Sequence, residues 1–171
     1  MTQETHKEFD IAIVGGGGAG VAAALEAASA GARAILLEQD AELGGTAAIS
    51  GGGCLLVGTP LQEAHGIKDT PDLAFDDWIK WGQGSADERW ARYYIEHTLH
   101  DVYHWAERHG AEWIDMKFQE GNSVPRWHRP KNNGLGLMTA LIGSMKSQGK
   151  TEVMTSTPAS KLIVRNGHVC G

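Results

Sequence analysis

A run of glycines directly after the first apolar stretch constrains the fold of this chain more than any other feature. Phe9–Val14 is short, apolar and rich in Ile and Val, which predicts a buried strand. The run Gly15–Gly20 follows, and Ala19–Ala30 predicts a helix because it is rich in Ala and stops before Gly31. Arg33–Leu37 predicts a second buried strand. Strand, turn, helix and strand in this order form a βαβ unit, which implies an α/β fold with a parallel sheet.

The turn matches the pattern G-x-G-x-x-G with Gly15, Gly17 and Gly20. In this pattern the first glycine permits the tight turn, the second lets a pyrophosphate approach the backbone, and the third lets the helix pack close to the strand. The N-terminus of the helix offers free N–H groups to the anion. Glu38 closes the second strand, where a carboxylate can accept both ribose hydroxyls of an adenosine and would repel a 2′-phosphate. The pattern therefore predicts a dinucleotide site, against the alternative of a Gly-rich turn with Glu38 as a surface charge.

A second Gly-rich segment, Leu43–Gly53, begins shortly after Glu38. A second close approach of backbone suggests a cofactor that extends past its pyrophosphate, which favours FAD over NAD. A flexible loop is the alternative interpretation of this segment.

The rest of the chain predicts further helices and strands. Thr70-Pro71 is a good helix start, and Ser85 with Glu88 fits a capping box. Asn166-Gly167 is a strong hairpin signal. The predicted helices are Thr70–Trp81, Ser85–His109 and Leu137–Gln148, and the predicted strands are Glu152–Thr155, Lys161–Val164 and His168–Cys170. The predicted loops are Leu43–Gly58 and Asn122–Gly136.

Charge and cysteine content exclude several classes of protein. The formal net charge is −6, so the basic excess usual for nucleic-acid binding is absent and no nucleic-acid partner is expected. The two cysteines, Cys54 and Cys170, form no disulfide framework and fit a reducing compartment. The sequence shows neither a signal peptide of the usual type nor an apolar run long enough for a membrane span. We therefore expect a cytoplasmic protein.

The stretch IVGGGGAGVAAALEAASAGARAILLEQDAELGGTAAISGGG resembles the N-terminal FAD segment of the fumarate reductase/succinate dehydrogenase flavoprotein superfamily. The resemblance is specific over residues 9–58 and continues more loosely along nearly the whole chain. It implies a Rossmann-like FAD-binding domain with a parallel sheet, plus the start of a mostly helical α+β capping region. The implied division is residues 1–60 for the βαβ unit and flavin loop, 61–136 for a helical insertion, and 137–171 for a return to the FAD-binding domain.

The resemblance also implies which residues contact FAD. The turn would line the pyrophosphate, Glu38 with Gln39 would lie at the ribose, and Ala159 would meet the adenine. The later glycines would follow the ribityl chain to the isoalloxazine ring. The implied residues are Gly15, Gly17, Gly18, Ala19, Gly20, Glu38, Gln39, Gly44, Gly45, Thr46, Ala47, Ser50, Gly51, Gly52, Gly53 and Ala159.

Two departures from the family pattern refine this interpretation. Thr46 stands where membrane-complex members carry the histidine that bonds covalently to the flavin. Non-covalent FAD is therefore expected, as in the soluble branch with flavocytochrome-type fumarate reductases and 3-ketosteroid dehydrogenases. The chain is also much shorter than family members, so it is expected to be an N-terminal fragment, and no catalytic residue can be assigned in it.

The resemblance implies hydride transfer by the flavin to or from a small-molecule substrate, which reduces an activated C=C bond or dehydrogenates its saturated counterpart. The electron donor or acceptor is not identifiable from the residues. Two alternatives remain at this point. One is a truncated dinucleotide-binding module without catalysis, and the other is a truncated chain that does not fold alone.

Three other groups of residues admit a functional interpretation. The three histidines His97, His100 and His104 recur on one predicted helix, where a solvated helix face is favoured over a metal site. Cys54 follows the flavin loop as a redox thiol or, as we favour, a small apolar filler. Arg126 or Arg129 would face a substrate carboxylate or, as favoured, belong to a surface loop.

Overall fold

The computed structural model describes residues 7–171, which form two compact units. The first unit runs to Ala47 and resumes at Leu141–Gly171, and the second is Ala48–Ala140. The helices are α1 (Gly18–Ser29), α2 (Gly45–Ile49), α3 (Pro60–Ala64), α4 (Pro71–Gly82), α5 (Glu88–His97), a π-helical segment (Thr98–His104), α6 (Trp105–Arg108) and α7 (Asn133–Gln148). The strands are β1 (Ile11–Val14), β2 (Ala34–Leu37), β3 (Cys54–Leu55), β4 (Trp113–Lys117), β5 (Trp127–Pro130), β6 (Thr151–Met154), β7 (Val164–Arg165) and β8 (His168–Val169).

The first unit contains the predicted βαβ arrangement. Strands β1, β2 and β6 form a parallel sheet in that order, with β2 in the centre. Helix α1 lies against β1 and β2 and buries Val21 and Leu25 completely. The predicted α/β fold class with a parallel sheet is confirmed. The prediction that β1 is buried is wrong, because β1 lies at an edge of this sheet and only Ile13 among its residues is buried.

The second unit combines helices with an antiparallel sheet. Strands β3, β5 and β4 pair in that order. The two buried clusters are Leu56, Tyr103, Ala106 and Trp113, and Val57, Ala74 and Ile95. Two predicted loops are corrected here, because Leu43–Gly58 contains α2 and β3, and Asn122–Gly136 contains β5 and the start of α7.

The N-terminal cap of α4 agrees with the sequence prediction, and that of α5 differs from it. Thr70 caps α4 by accepting a hydrogen bond from the N–H of Leu73, as predicted. Helix α5 begins two residues later than a Ser85 cap requires, because Asp87 accepts the capping hydrogen bond from Trp90. The predicted Ser85–Glu88 capping box is therefore wrong.

The last predicted feature is the hairpin at the end of the chain. Asn166 and Gly167 turn between β7 and β8 with φ of 51° and 78°, as the dipeptide predicts. The first strand of this hairpin is Val164–Arg165 rather than Lys161–Val164. No helix among residues 7–171 is long and apolar enough to cross a bilayer. The domain division at residues 60 and 136 stays a prediction.

Candidate cofactor site

The turn between β1 and α1 leaves room for a ligand at one glycine and none at another. A Cβ built on Gly20 would overlap the carbonyl oxygen of Gly15, so the helix packs directly on the turn. A Cβ built on Gly17 would meet no atom within 4 Å. Gly17 is also the N-cap of α1, and no side chain caps this helix. The first N–H groups of α1 therefore begin beside open space, as an anion site requires.

The side chain of Glu38 forms a hydrogen bond with the backbone of the same turn. Its side chain is buried, and its carboxylate accepts hydrogen bonds from the N–H of Asp40 at 2.9 Å and from that of Gly16 at 2.6 Å. These two bonds lower the pKa of Glu38 against the opposing effect of burial. Glu38 is therefore an ionised carboxylate that holds the β1–α1 turn through Gly16, and its predicted contact with a ribose would use the remaining lone pairs.

The second Gly-rich segment approaches the first one in space. The N–H of Gly44 donates to the carbonyl oxygen of Gly16 at 2.8 Å, and a Cβ on Gly45 would lie 3.6 Å from the Cα of Gly17. Gly45 begins α2, which places Thr46 and Ala47 in its first turn. The structure thus brings the turn that contains the predicted pyrophosphate residues together with Gly44 and Gly45.

The predicted adenine end is connected to Glu38 through the backbone. The N–H of Thr157 donates to the carbonyl oxygen of Glu38, and that of Ser156 to the carbonyl oxygen of Asp40, both at 2.8 Å. Ala159 follows this connection and is exposed, and Gln39 is exposed beside Glu38. The four predicted flavin-ring residues, Ser50, Gly51, Gly52 and Gly53, lie in the second unit.

A buried ion cluster in the second unit was missed by the sequence interpretation. The side chain of Arg126 is fully buried and forms two hydrogen bonds of 2.8 Å with Asp69. Arg126 also donates to Asp77 at 2.6 Å and to Asn122 at 3.1 Å. The assignment of Arg126 to a surface loop is therefore wrong, because its guanidinium is buried and donates four hydrogen bonds to groups of the chain itself. Arg129, which is partly exposed, pairs with Asp115.

His128 and Thr59 form a buried polar pair near this ion cluster. His128 Nδ1 lies 2.7 Å from the carbonyl oxygen of Arg126, which can only accept, so Nδ1 carries the proton. Nε2 then accepts from the hydroxyl of Thr59 at 2.7 Å. Thr59 and Gln62 form a T-x-x-Q capping box for α3, which is the sequence signal that would have revealed part of this arrangement.

The remaining candidate residues carry structural roles in the described chain. Burial raises the pKa of Cys54 to about 11, so its thiol stays protonated, which favours the apolar filler. His104 Nδ1 contacts Glu107 at 3.0 Å, and His97 Nδ1 donates to the carbonyl oxygen of Tyr93. Within residues 7–171, no cluster of three or more His, Cys, Asp or Glu side chains has the geometry to hold a metal.

Comparison with known proteins identifies the family. The chain matches the FAD binding domain family over residues 10–171. A fumarate reductase (cytochrome) from Shewanella frigidimarina is 38% identical over 130 residues, which are 76% of this chain and 23% of that protein. A KsdD-like steroid dehydrogenase from Mycobacterium tuberculosis is 31% identical over an alignment of 181 positions, which covers 95% of this chain and 32% of that protein.

Solved structures agree with the sequence relatives. The open conformation of a flavocytochrome c3 fumarate reductase matches with a TM-score of 0.86 at 34% identity, covering 94% of this chain and 28% of that chain. The chain therefore spans about a quarter to a third of the length of these relatives.

The residues of the first unit fit the cofactor of this family. FAD carries a pyrophosphate, and the space that a Cβ of Gly17 would fill lies at the start of α1 and beside Gly45. The buried, ionised Glu38 accepts a hydrogen bond from Gly16 of that turn, and its predicted contact with the adenosine ribose stays a prediction. The chain belongs to the FAD-binding flavoprotein oxidoreductase family that includes fumarate reductase and KsdD-like steroid dehydrogenase.

Proposed function

We propose that this chain holds FAD in an oxidoreductase that reduces an activated C=C bond or dehydrogenates the saturated counterpart. The open space at Gly17, next to the N-terminus of α1 and the turn held by Glu38, is the observation that carries this proposal. FAD supplies the hydride chemistry when bound, and the protein supplies binding and orientation.

Two groups of residues are proposed to hold different parts of FAD. The residues proposed to hold the adenosine diphosphate and the ribityl chain are Gly15, Gly17, Gly18, Ala19, Gly20, Glu38, Gln39, Gly44–Ala47 and Ala159. Ser50–Gly53, in the second unit, is proposed to approach the isoalloxazine ring. Thr46 is exposed in α2 and cannot form the covalent bond that a histidine forms, so the proposed binding is non-covalent.

The substrate class follows from the relatives' names and stays a proposal for this chain. Fumarate contains a C=C bond activated by two carboxylates, and a steroid dehydrogenase removes hydrogen from a steroid. A small molecule with an activated C=C bond, or its saturated form, is common to both. We propose such a substrate here and no nucleic-acid partner, which the net charge of −6 disfavours. Steady-state assays with fumarate and with a 3-ketosteroid, in both directions, test the class.

We also propose a domain division and a location for this chain. The first is the division into a βαβ unit with flavin loop (1–60), a helical insertion (61–136) and a return to the FAD-binding domain (137–171). The second is a cytoplasmic location, which is supported by the two unpaired cysteines Cys54 and Cys170. Cell fractionation followed by immunodetection tests the location.

An FAD titration of the purified chain tests the proposed function directly. Saturable binding, followed by flavin fluorescence and the visible spectrum, is expected for the wild-type chain. Glu38→Ala should weaken binding by at least about tenfold, because two N–H groups of the turn lose their shared acceptor. Glu42→Ala is the matched control, since Glu42 is an exposed carboxylate in the same segment.

Two results would contradict the proposal. One is an FAD affinity that Glu38→Ala leaves unchanged. The other is an affinity for ADP equal to that for FAD, which would favour a nucleotide-binding module without a flavin site. The family match favours the oxidoreductase over that module.

A further inference from the structure

The backbone of Ser50–Gly53, called the flavin loop below, lies directly against an aromatic ring. A Cβ built on Gly53 would overlap the indole of Trp127 at Cε2, Cζ2 and Nε1. A Cβ on Gly51 would lie 3.8 Å from Cζ2 of the same ring. Gly53 is therefore needed for this close approach. Because the glycines have no side chains to pack, the indole of Trp127 packs directly against their backbone.

A second contact fixes the other glycine of the flavin loop. Gly52 has a φ of +66°, and a Cβ built on it would lie 2.5 Å from the backbone nitrogen of Gly134 in α7. The N–H of Gly134 donates to the carbonyl oxygen of Ser50 at 3.1 Å, and the N–H of Gly52 donates to the hydroxyl of Ser50 at 3.0 Å. The start of α7 and Trp127 thus hold the flavin loop between them by contacts to backbone.

Trp127 is itself held by its place in a strand. It is the first residue of β5, and it pairs with Leu55 of β3. The preceding residue, Arg126, accepts hydrogen bonds at its carbonyl oxygen from Leu56 and from His128. Both the strand pairing and the buried ion cluster therefore fix the backbone that carries the indole, and the ring remains only half-buried.

We propose that Trp127 is a positioning residue for the flavin end of FAD. In this proposal, which rests on the proposed function, the indole sets the path of the flavin loop and through it the affinity and environment of the isoalloxazine ring. The adenosine diphosphate half is assigned to residues of the first unit. Removal of the indole is therefore expected to lower the affinity for FAD and to leave the affinity for ADP unaffected.

A purely structural Trp127 predicts a different result. If the indole only filled space in the second unit, its removal would lower stability and leave the ratio of FAD to ADP affinity unchanged. A positioning role changes that ratio, and it changes the visible spectrum of bound flavin. The ratio and the spectrum therefore separate the two interpretations.

The experiment measures dissociation constants for FAD and for ADP in the purified chain and in Trp127→Ala, Trp127→Phe and Trp90→Ala. We expect Trp127→Ala to weaken FAD by about tenfold or more and ADP by less than about twofold. Trp127→Phe should restore most of the FAD affinity and the visible absorption spectrum. Trp90→Ala is the control, because Trp90 is an exposed tryptophan of the same unit and should leave both constants unchanged.

A double-mutant cycle tests the contact between Gly53 and Trp127 itself. Gly53→Ala should lower the thermal midpoint of the chain without FAD and weaken FAD, since its Cβ would overlap the indole. In the Trp127→Ala background, Gly53→Ala should lower the thermal midpoint and the FAD affinity much less, because the overlapping ring is gone.

The outcomes distinguish failure of this inference from failure of the proposed function. Equal losses for FAD and ADP in Trp127→Ala, or a Gly53→Ala effect that is the same in both backgrounds, would overturn the positioning role while wild-type FAD binding remains. A wild-type chain that binds neither FAD nor ADP would overturn the proposed function, and this inference with it.

Discussion

Gly20 and Gly17 of the β1–α1 turn differ in the space available to a side chain. Gly20 has no room for a Cβ, since the carbonyl oxygen of Gly15 already occupies that position. A Cβ built on Gly17 would meet no atom within 4 Å, and its φ of −76° is one that any residue can adopt. A change at Gly20 is therefore expected to act on the fold, whereas a change at Gly17 is expected to act on the proposed binding of FAD.

This division predicts opposite results for two alanine variants. Gly20→Ala should lower the free energy of unfolding by about 1–3 kcal/mol, as overpacking does. Gly17→Ala should change it by less than about 0.5 kcal/mol and still weaken FAD by at least about tenfold, since the new Cβ enters the proposed pyrophosphate space. Urea unfolding and FAD titration of both variants check this. Equal stability losses in the two variants would contradict the packing argument.

His128 makes stability depend on pH. Burial lowers the pKa of His128 below 6.5, against the opposing effects of the Arg126 carbonyl and of Asp69. Between the lowered pKa and 6.5, the unfolded chain binds a proton that the folded chain does not, so the free energy of unfolding falls as the pH drops through this window. The fall is at most about 1.4 kcal/mol per pH unit.

The pH dependence is measured by urea unfolding between pH 7.5 and 5, an interval that includes the usual histidine pKa of about 6.5. His128→Gln should flatten the slope, because the titrating group is gone. His100→Gln, a change at an exposed histidine, should leave the slope as in the wild type. Identical slopes in wild type and His128→Gln would show that the slope arises at another group.

At the scale of the element, the start of α5 depends on one carboxylate. Asp87 accepts from the N–H of Trp90 at 2.9 Å, whereas the Ser85 hydroxyl donates to the carbonyl oxygen of Gly82. Asp87→Ala should therefore cost about 1 kcal/mol of unfolding free energy, and Ser85→Ala less than about 0.5 kcal/mol. Urea unfolding of the two variants measures both, and a larger cost at Ser85 would restore the capping box that the sequence predicts.

Helix α5 also shows a limit of prediction from sequence patterns. Ser85 and Asp87 are both good caps, and only the tertiary position of α5 decides between them. The βαβ unit was predictable because its glycines, apolar strands and Ala-rich helix are all local signals. Strands β4 and β5 were missed because WIDMK and WHRP carry charges, and because β5 also pairs with β3, which lies far away in the sequence. The glycine pattern of the β1–α1 turn was recognisable in the sequence, whereas the contact of Gly53 with Trp127 is visible only in three dimensions.

At the scale of the whole molecule, the two units are stabilised differently. The first buries apolar side chains such as Val21, Leu25 and Leu36 between α1 and a parallel sheet. The second encloses a complete ion cluster, in which Arg126 satisfies two carboxylates from Asp69 and Asp77. Loss of one member of such a cluster leaves the others buried and unpaired, which costs far more than loss of an exposed pair.

Arg126→Met should therefore lower the free energy of unfolding by about 3–5 kcal/mol. Lys131→Met removes one member of the exposed pair Lys131–Glu112 and should cost at most about 1 kcal/mol. Because the cluster lies wholly within residues 48–140, hydrogen exchange should show the loss of protection in Arg126→Met concentrated there, with α1 and β2 less affected. A uniform loss across both units would mean that they unfold as one cooperative body, and the division into two compact units would then have no counterpart in stability.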